Sequence, residues 1–201
     1  MAKGTIGGKI VLEGEKQYRE ALKAIKSEQA ELRSEMKLCQ TQFKNSQNSI
    51  EALQKKHEIL TKQIDSQTQK VQTYQKAMET SAQKEEQAAK KVADLQTALN
   101  KAEQEFQEMS QSSDTTKEAL DNQGAAVEEL RKKLQTAQGD YDKAAQKTQS
   151  YQTSLNYAEA ELKGMEGELS ATEKYLKEAE TSTDGCAKSI DEFGKETVDA
   201  T

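Results

Sequence analysis

Proline and tryptophan are missing from all 201 residues, aromatic side chains make up 4% of them, histidine occurs once and cysteine twice. Ordinary usage would supply roughly ten prolines, so their absence beside abundant Ala, Glu, Lys and Gln favours long uninterrupted helix. With 33% hydrophobic residues and so few rings, a globular core is hard to build. Cys39 and Cys186 stand far apart and outside any CxxC pair, which argues against a disulfide framework or a zinc site. No run of eighteen apolar residues exists, and MAKGTIGGKIVLEGEK lacks the apolar stretch of a signal peptide. The chain is therefore expected to span no membrane and to be made and kept in the cytosol.

The charge balance removes a further class. Thirty-five acidic and 29 basic residues are mixed along the chain, for a net charge of −6. No sustained basic stripe is available to neutralise phosphates, so no direct nucleic-acid partner is expected. The adjacent lysines at 55–56, 90–91 and 132–133 are isolated and read as solvated helix face. Enzyme chemistry finds no foothold either: GTIGG at 4–8 is not a GxGxxG, and carboxylate pairs without a concave pocket are ordinary helix surface. No catalytic residue, cofactor or metal is expected.

What the chain does have is one period. Alternating steps of four and three from Tyr18 visit Leu22, Ile25, Gln29, Leu32, Met36, Cys39, Phe43, Ile50, Leu53, Leu60, Ile64 and Val71. The same steps continue through Tyr74, Met78, Val92, Leu95, Leu99, Phe106, Met109, Leu120, Val127, Leu130, Leu134, Tyr141, Tyr151, Leu155, Leu162, Met165, Leu169, Leu176, Cys186, Ile190 and Phe193. Of 37 large apolar residues between 18 and 193, 33 fall on this seam, and only Leu38, Ile59, Tyr157 and Tyr175 miss it. Chance would place about two sevenths there, so the period is that of a coiled coil, and the seam is the expected site of self-association. His57 lies on the seam between Leu53 and Leu60, where a polar residue tuning helix register is the favoured reading.

The chain also repeats itself. QTALNKAEQEFQEM at 96–109 returns as QTSLNYAEAELKGM at 152–165 with eight of fourteen letters kept, and the alignment extends to 64–109 against 120–165. The offset of 56 residues is eight heptads. Deleting one unit, Leu120 to Tyr175, is thus expected to shorten a continuous rod without disturbing its seam.

Helix-indifferent residues gather at NSQNS (45–49), at SQSSDTT (110–116), with Asp114 as a candidate N-cap, and at TSTDG (181–185). None shifts the heptad phase, which favours soft joints in a rod over turns. Antiparallel folding at 110–116 stays open. It would bring Lys84 to Asp140 and Lys56 to Glu168 but oppose Lys91 and Lys133, so charge does not decide. Ahead of the rod, Ile10-Val11-Leu12 between glycines reads as a short strand that must pair elsewhere. Glu159, Glu161, Glu166, Glu168 and Glu173 flank the seam and read as a solvated, slightly weakened edge rather than a site for a basic partner.

The expected fold is all-α: an N-terminal strand and turn (1–14), a heptad rod (15–182) and the start of a further helical segment (183–201). GGKIVLEGEKQYREAL, SEMKLCQTQF, ALQKKHEILTKQIDSQTQKV and the LNKAE and LNYAEAEL units, in that order, resemble the N-terminal part of tail tape measure proteins from long-tailed phages and prophages of Gram-positive bacteria. The resemblance covers about residue 6 to the end. It implies an extended helical protein in the host cytoplasm during assembly and in the tail lumen of the virion. There it sets how many tail-tube rings stack and leaves the tube when DNA is ejected. It also implies tail-tube and tail-chaperone proteins as partners, and a chain that is an N-terminal fragment of a longer one. A cytosolic bacterial coiled-coil scaffold is the alternative, and it leaves the opening motif unexplained.

Overall fold

A computed structural model describes the backbone of residues 14–199 and the side chains of residues 14–183. The expected strand at the N-terminus, and the side chains of Cys186, Ile190 and Phe193, lie outside the described residues. Within them the fold is all-α, with three long helices: α1 (Glu15–Gln42), α2 (Ile50–Gln111) and α3 (Lys117–Asp199). Gly14 precedes α1 at φ 151°, a backbone angle that a side chain would strain.

Two of the three expected joints are breaks in the helix. At 43–49 the chain turns through Ser46 N–H to Phe43 O (3.0 Å) and Ser49 N–H to Ser46 O (2.9 Å). Ser49 then caps α2, its hydroxyl accepting from the Ala52 N–H at 3.3 Å. At 112–116 a second turn leads into α3, capped by Thr116, whose hydroxyl accepts from the Ala119 N–H at 3.2 Å. The cap is thus two residues beyond Asp114, whose own N–H is turned onto the Ser112 hydroxyl at 3.3 Å. Ser, Asp and Thr bond locally to the backbone and compete with helical hydrogen bonds, which is why the chain turns here despite its unbroken phase. The third joint, 181–185, is not a break, since α3 runs through it.

The chain divides into two compact units, residues 74–154 and the remainder. In the 74–154 unit, α2 and α3 lie antiparallel on either side of the 112–116 turn. Arg131 reaches Glu103 at 2.7 Å, Gln123 donates to Ala102 O at 3.3 Å, and Thr148 donates to Ser81 at 3.1 Å. Leu99, Ala102 and Val127 are buried together, with Phe106, Leu130 and Leu134 packed against them. The continuous rod is therefore corrected to a hairpin. A chain that turns at 112–116 buries its seam against itself, where a rod needs a partner.

The register explains the repeat. With Ser81 level with Thr148, residue 109 stands level with 120, and the same count carried down α2 sets 64 against 165. Contacts in the other unit keep that count to within a turn of helix, with His57 on Glu173, Lys70 on Glu161, and Gln67 on Ala158 and Glu161. The two copies of the 56-residue repeat are thus the two arms of the hairpin, laid head to tail. Deleting Leu120 to Tyr175 would remove an arm, not shorten a rod.

In the other unit, three helical segments pack together: α1, residues 50–73 of α2, and residues 155–176 of α3. Among the described residues, the buried ones off the seam are Ala52, Ile59, Ser66 and Thr73, spaced by seven on α2. They form a second stripe, needed because α2 here packs on two helices and not one. Three of the four members are small, so an apolar tally passes over them. Of the four large residues off the seam, Ile59 is fully buried while Leu38, Tyr157 and Tyr175 are exposed.

The glycines of α3 differ in the space around them. A Cβ at Gly139 would meet nothing within 4 Å, whereas one at Gly124 would stand 3.3 Å from Phe106. Gly139→Ala is expected to stabilise by about 0.5–1 kcal/mol through helix propensity alone, and Gly124→Ala by less, as read in urea denaturation midpoints.

Candidate functional site

The expected functional surface was the seam itself. Ile25, Leu32, Leu53, Leu60, Leu99 and Leu155 are buried. Leu22, Met36, Ile64, Val92, Leu95, Leu130, Leu134, Leu162, Leu169 and Leu176 are half-buried. The first six are buried within a single chain, and the other ten keep part of their surface open.

The best-organised polar site lies inside the three-helix unit. Gln29 of α1 donates to Gln67 Oε1 at 2.7 Å, and Gln67 Nε2 donates to Ala158 O (2.7 Å) and to Glu161 (3.0 Å) of α3. One side chain therefore ties all three helices at one level. Beside it Ser66 donates to Glu28 at 2.9 Å, and Gln63 donates to Leu32 O at 3.2 Å. Among the described residues no buried side-chain polar atom lacks a partner. A fully satisfied layer of this kind permits one alignment of three helices, because sliding any of them by a turn orphans buried amides. Gln29 and Gln67 both sit on seam positions. Their meeting was not legible because sequence does not say which helices face each other.

Lys70 closes the layer at the surface, its ammonium 2.8 Å from Glu161. That hydrogen bond holds the Glu161 carboxyl below its ordinary range. A depressed carboxyl contributes stability that is complete above the ordinary glutamate value of 4.5 and is lost as pH falls through the folded value. Lys70→Ala is accordingly expected to lower the urea midpoint at pH 7 and to flatten its fall in acid. An acid limb of unchanged steepness contradicts the link.

The acidic flank is partly paired. Glu161 meets Lys70, and Glu173 meets His57 Nε2 at 3.2 Å, a tie between α3 and α2. His57 thus bonds across helices within its unit, half exposed. The antiparallel charge pairs Lys84 with Asp140 and Lys56 with Glu168 lie one heptad from the observed register, which sets Lys70 on Glu161. In the 74–154 unit, Lys91 and Lys133 do line one cleft, where Glu129 takes Lys133 at 2.6 Å. A cleft of about 390 Å³ in the three-helix unit is lined by Met36, Cys39, Phe43, Leu53 and Tyr175 among others. Cys39 is buried and free.

Among the described residues no group of three or more His, Cys, Asp or Glu side chains could hold a metal ion, and no helix is long and apolar enough to cross a membrane. Set against protein-family models, curated proteins and solved structures, the chain matches none.

Proposed function

We propose that the chain is a structural, non-enzymatic coiled-coil protein, the N-terminal region of a phage tail tape measure. In this reading its partners are tail-tube and tail-chaperone proteins, in the host cytoplasm during assembly and in the tail lumen afterwards. The ordered motifs from GGKIVLEGEK to LNYAEAEL support it. So does the commitment of the apolar side chains to helix packing, which leaves the protein length as its main property. The observation that carries the reading is the repeat of eight heptads. Whole heptads can be gained or lost in level pairs, one from each arm, without spoiling the seam, which is what a protein that measures length requires.

Removing two level segments, residues 75–102 and 127–154, keeps the seam phase and the turn. Placed in the phage gene that carries this sequence, the double deletion is expected to shorten tails by about 84 Å if the chain is read as one extended helix, and by about 42 Å if it is read folded. Tails of unchanged length in electron micrographs contradict the ruler and leave the cytosolic scaffold as the better account.

A further inference from the structure

The turn at 112–116 carries an unused constraint. In a hairpin the phase of one arm is set against the other by packing, so the number of residues in the turn is free to spoil the count between them. It does not. From Met109 the steps reach Ser113, Thr116 and Leu120 with no residue added or lost, so a helix running straight through the turn would present one uninterrupted seam. The turn sequence SSDTT contains neither proline nor glycine. Apart from the Thr116 cap on α3, which a continuous helix would replace with helical bonds, its own bonds are Ser112 N–H to Met109 O at 3.3 Å and Asp114 N–H to the Ser112 hydroxyl at 3.3 Å, and residues 112–114 are exposed. Either conformation of these five residues is therefore accessible.

The arms meet the second requirement. Because they are repeat copies packed head to tail, every contact between α2 and α3 can be made between chains as well as within one. Arg131 with Glu103, Gln123 with Ala102, and Thr148 with Ser81 need only that the two arms be antiparallel and level. The polar layer around Gln67 likewise asks for an α3, not for the α3 of the same chain. We propose that the protein has a second, swapped state in which residues 112–116 are helical, α2 and α3 form one helix, and each α2 packs on the α3 of a second copy. The dyad of this dimer passes between residues 114 of the two chains, and its interface is the intrachain one used again. Only the turn differs between the states, so the turn sets their balance, and concentration shifts it.

Swapping is independent of any role in a phage and is tested on the full chain. Replacing the turn by helix formers (Ser112→Ala, Ser113→Ala, Asp114→Ala, Thr115→Ala and Thr116→Ala together) is expected to tighten dimerisation by at least about tenfold in sedimentation equilibrium. Inserting two glycines between Ser113 and Asp114 breaks the phase and the helix. That variant is expected to stay monomeric with helix content and melting unchanged. Swapping is read directly by refolding together one chain spin-labelled at Gln83→Cys with another labelled at Gln146→Cys, both also carrying Cys39→Ser and Cys186→Ser. The dimer fraction is expected to give a between-chain distance of about 20–30 Å. A helix-former variant that stays monomeric, a glycine variant that dimerises as the native turn does, or a dimer without that distance each overturns the proposal.

Discussion

Ile59→Ala is expected to destabilise the protein as much as Leu60→Ala, by about 3–4 kcal/mol each in urea denaturation, although only Leu60 belongs to the seam. Both side chains are essentially inaccessible, at 0% and 1% exposure. Leu60 faces along the heptad seam, whereas Ile59 belongs to the stripe of Ala52, Ser66 and Thr73, which exists because α2 packs on two helices in this unit. Each truncation leaves a cavity that the small neighbours cannot refill. Leu38→Ala, by contrast, removes a side chain 58% exposed and should change stability by no more than about 0.5 kcal/mol. A silent Ile59→Ala would mean that the second stripe is solvated and that the three-helix unit does not form.

A single-arm deletion is expected to be the more damaging kind of change. Residues 85–91 of α2 stand level with 138–144 of α3, where the seam is poorest: Glu85 and Ala88 on one arm, Tyr141 and Ala144 on the other. Removing both segments keeps every other level pair and should cost less than about 1 kcal/mol, because little apolar surface is lost. Removing 85–91 alone forces a choice. Either Gln67 keeps Ala158 and Glu161, or Arg131 keeps Glu103, and the other set slips by a heptad. Buried amides in the slipped part lose their partners and a further turn of α3 unravels. The expected loss is about 2–4 kcal/mol, seen as a lower urea midpoint, with the paired deletion restoring most of it.

The helices were legible in the sequence because their signal is summed over many residues. Alternating steps of four and three from Tyr18 to Leu176 survive any single exception, and over that span the structure buries or half-buries the seam leucines, isoleucines, valines and methionines. The turn at 112–116 was legible as a weak spot, with antiparallel folding the open but less favoured reading. A rod and a hairpin place the same residues on the same seam, and the heptad phase running through SSDTT favoured the rod. The repeat was likewise visible as an interval, but its use as two facing arms depends on the register, which the observed bonds of Arg131 and Gln67 supply. The stripe of Ala52, Ile59, Ser66 and Thr73 was hidden because burial there follows from the arrival of α1, a tertiary event, on side chains mostly too small to register as apolar. Ile59 was the one visible trace of it.

The arms of the repeat face each other within one chain. Spin labels at Gln83→Cys and Gln146→Cys of the same chain, with Cys39→Ser and Cys186→Ser and with unlabelled chain in excess, test it in the monomer fraction by pulsed electron resonance. Residues 83 and 146 stand level on opposite arms of the 74–154 unit and are both exposed. Two packed helices separate such labels by about 20–30 Å, which is the result expected. A distance of about 95 Å, the rise of one uninterrupted helix between them, would contradict the hairpin and return the chain to a rod.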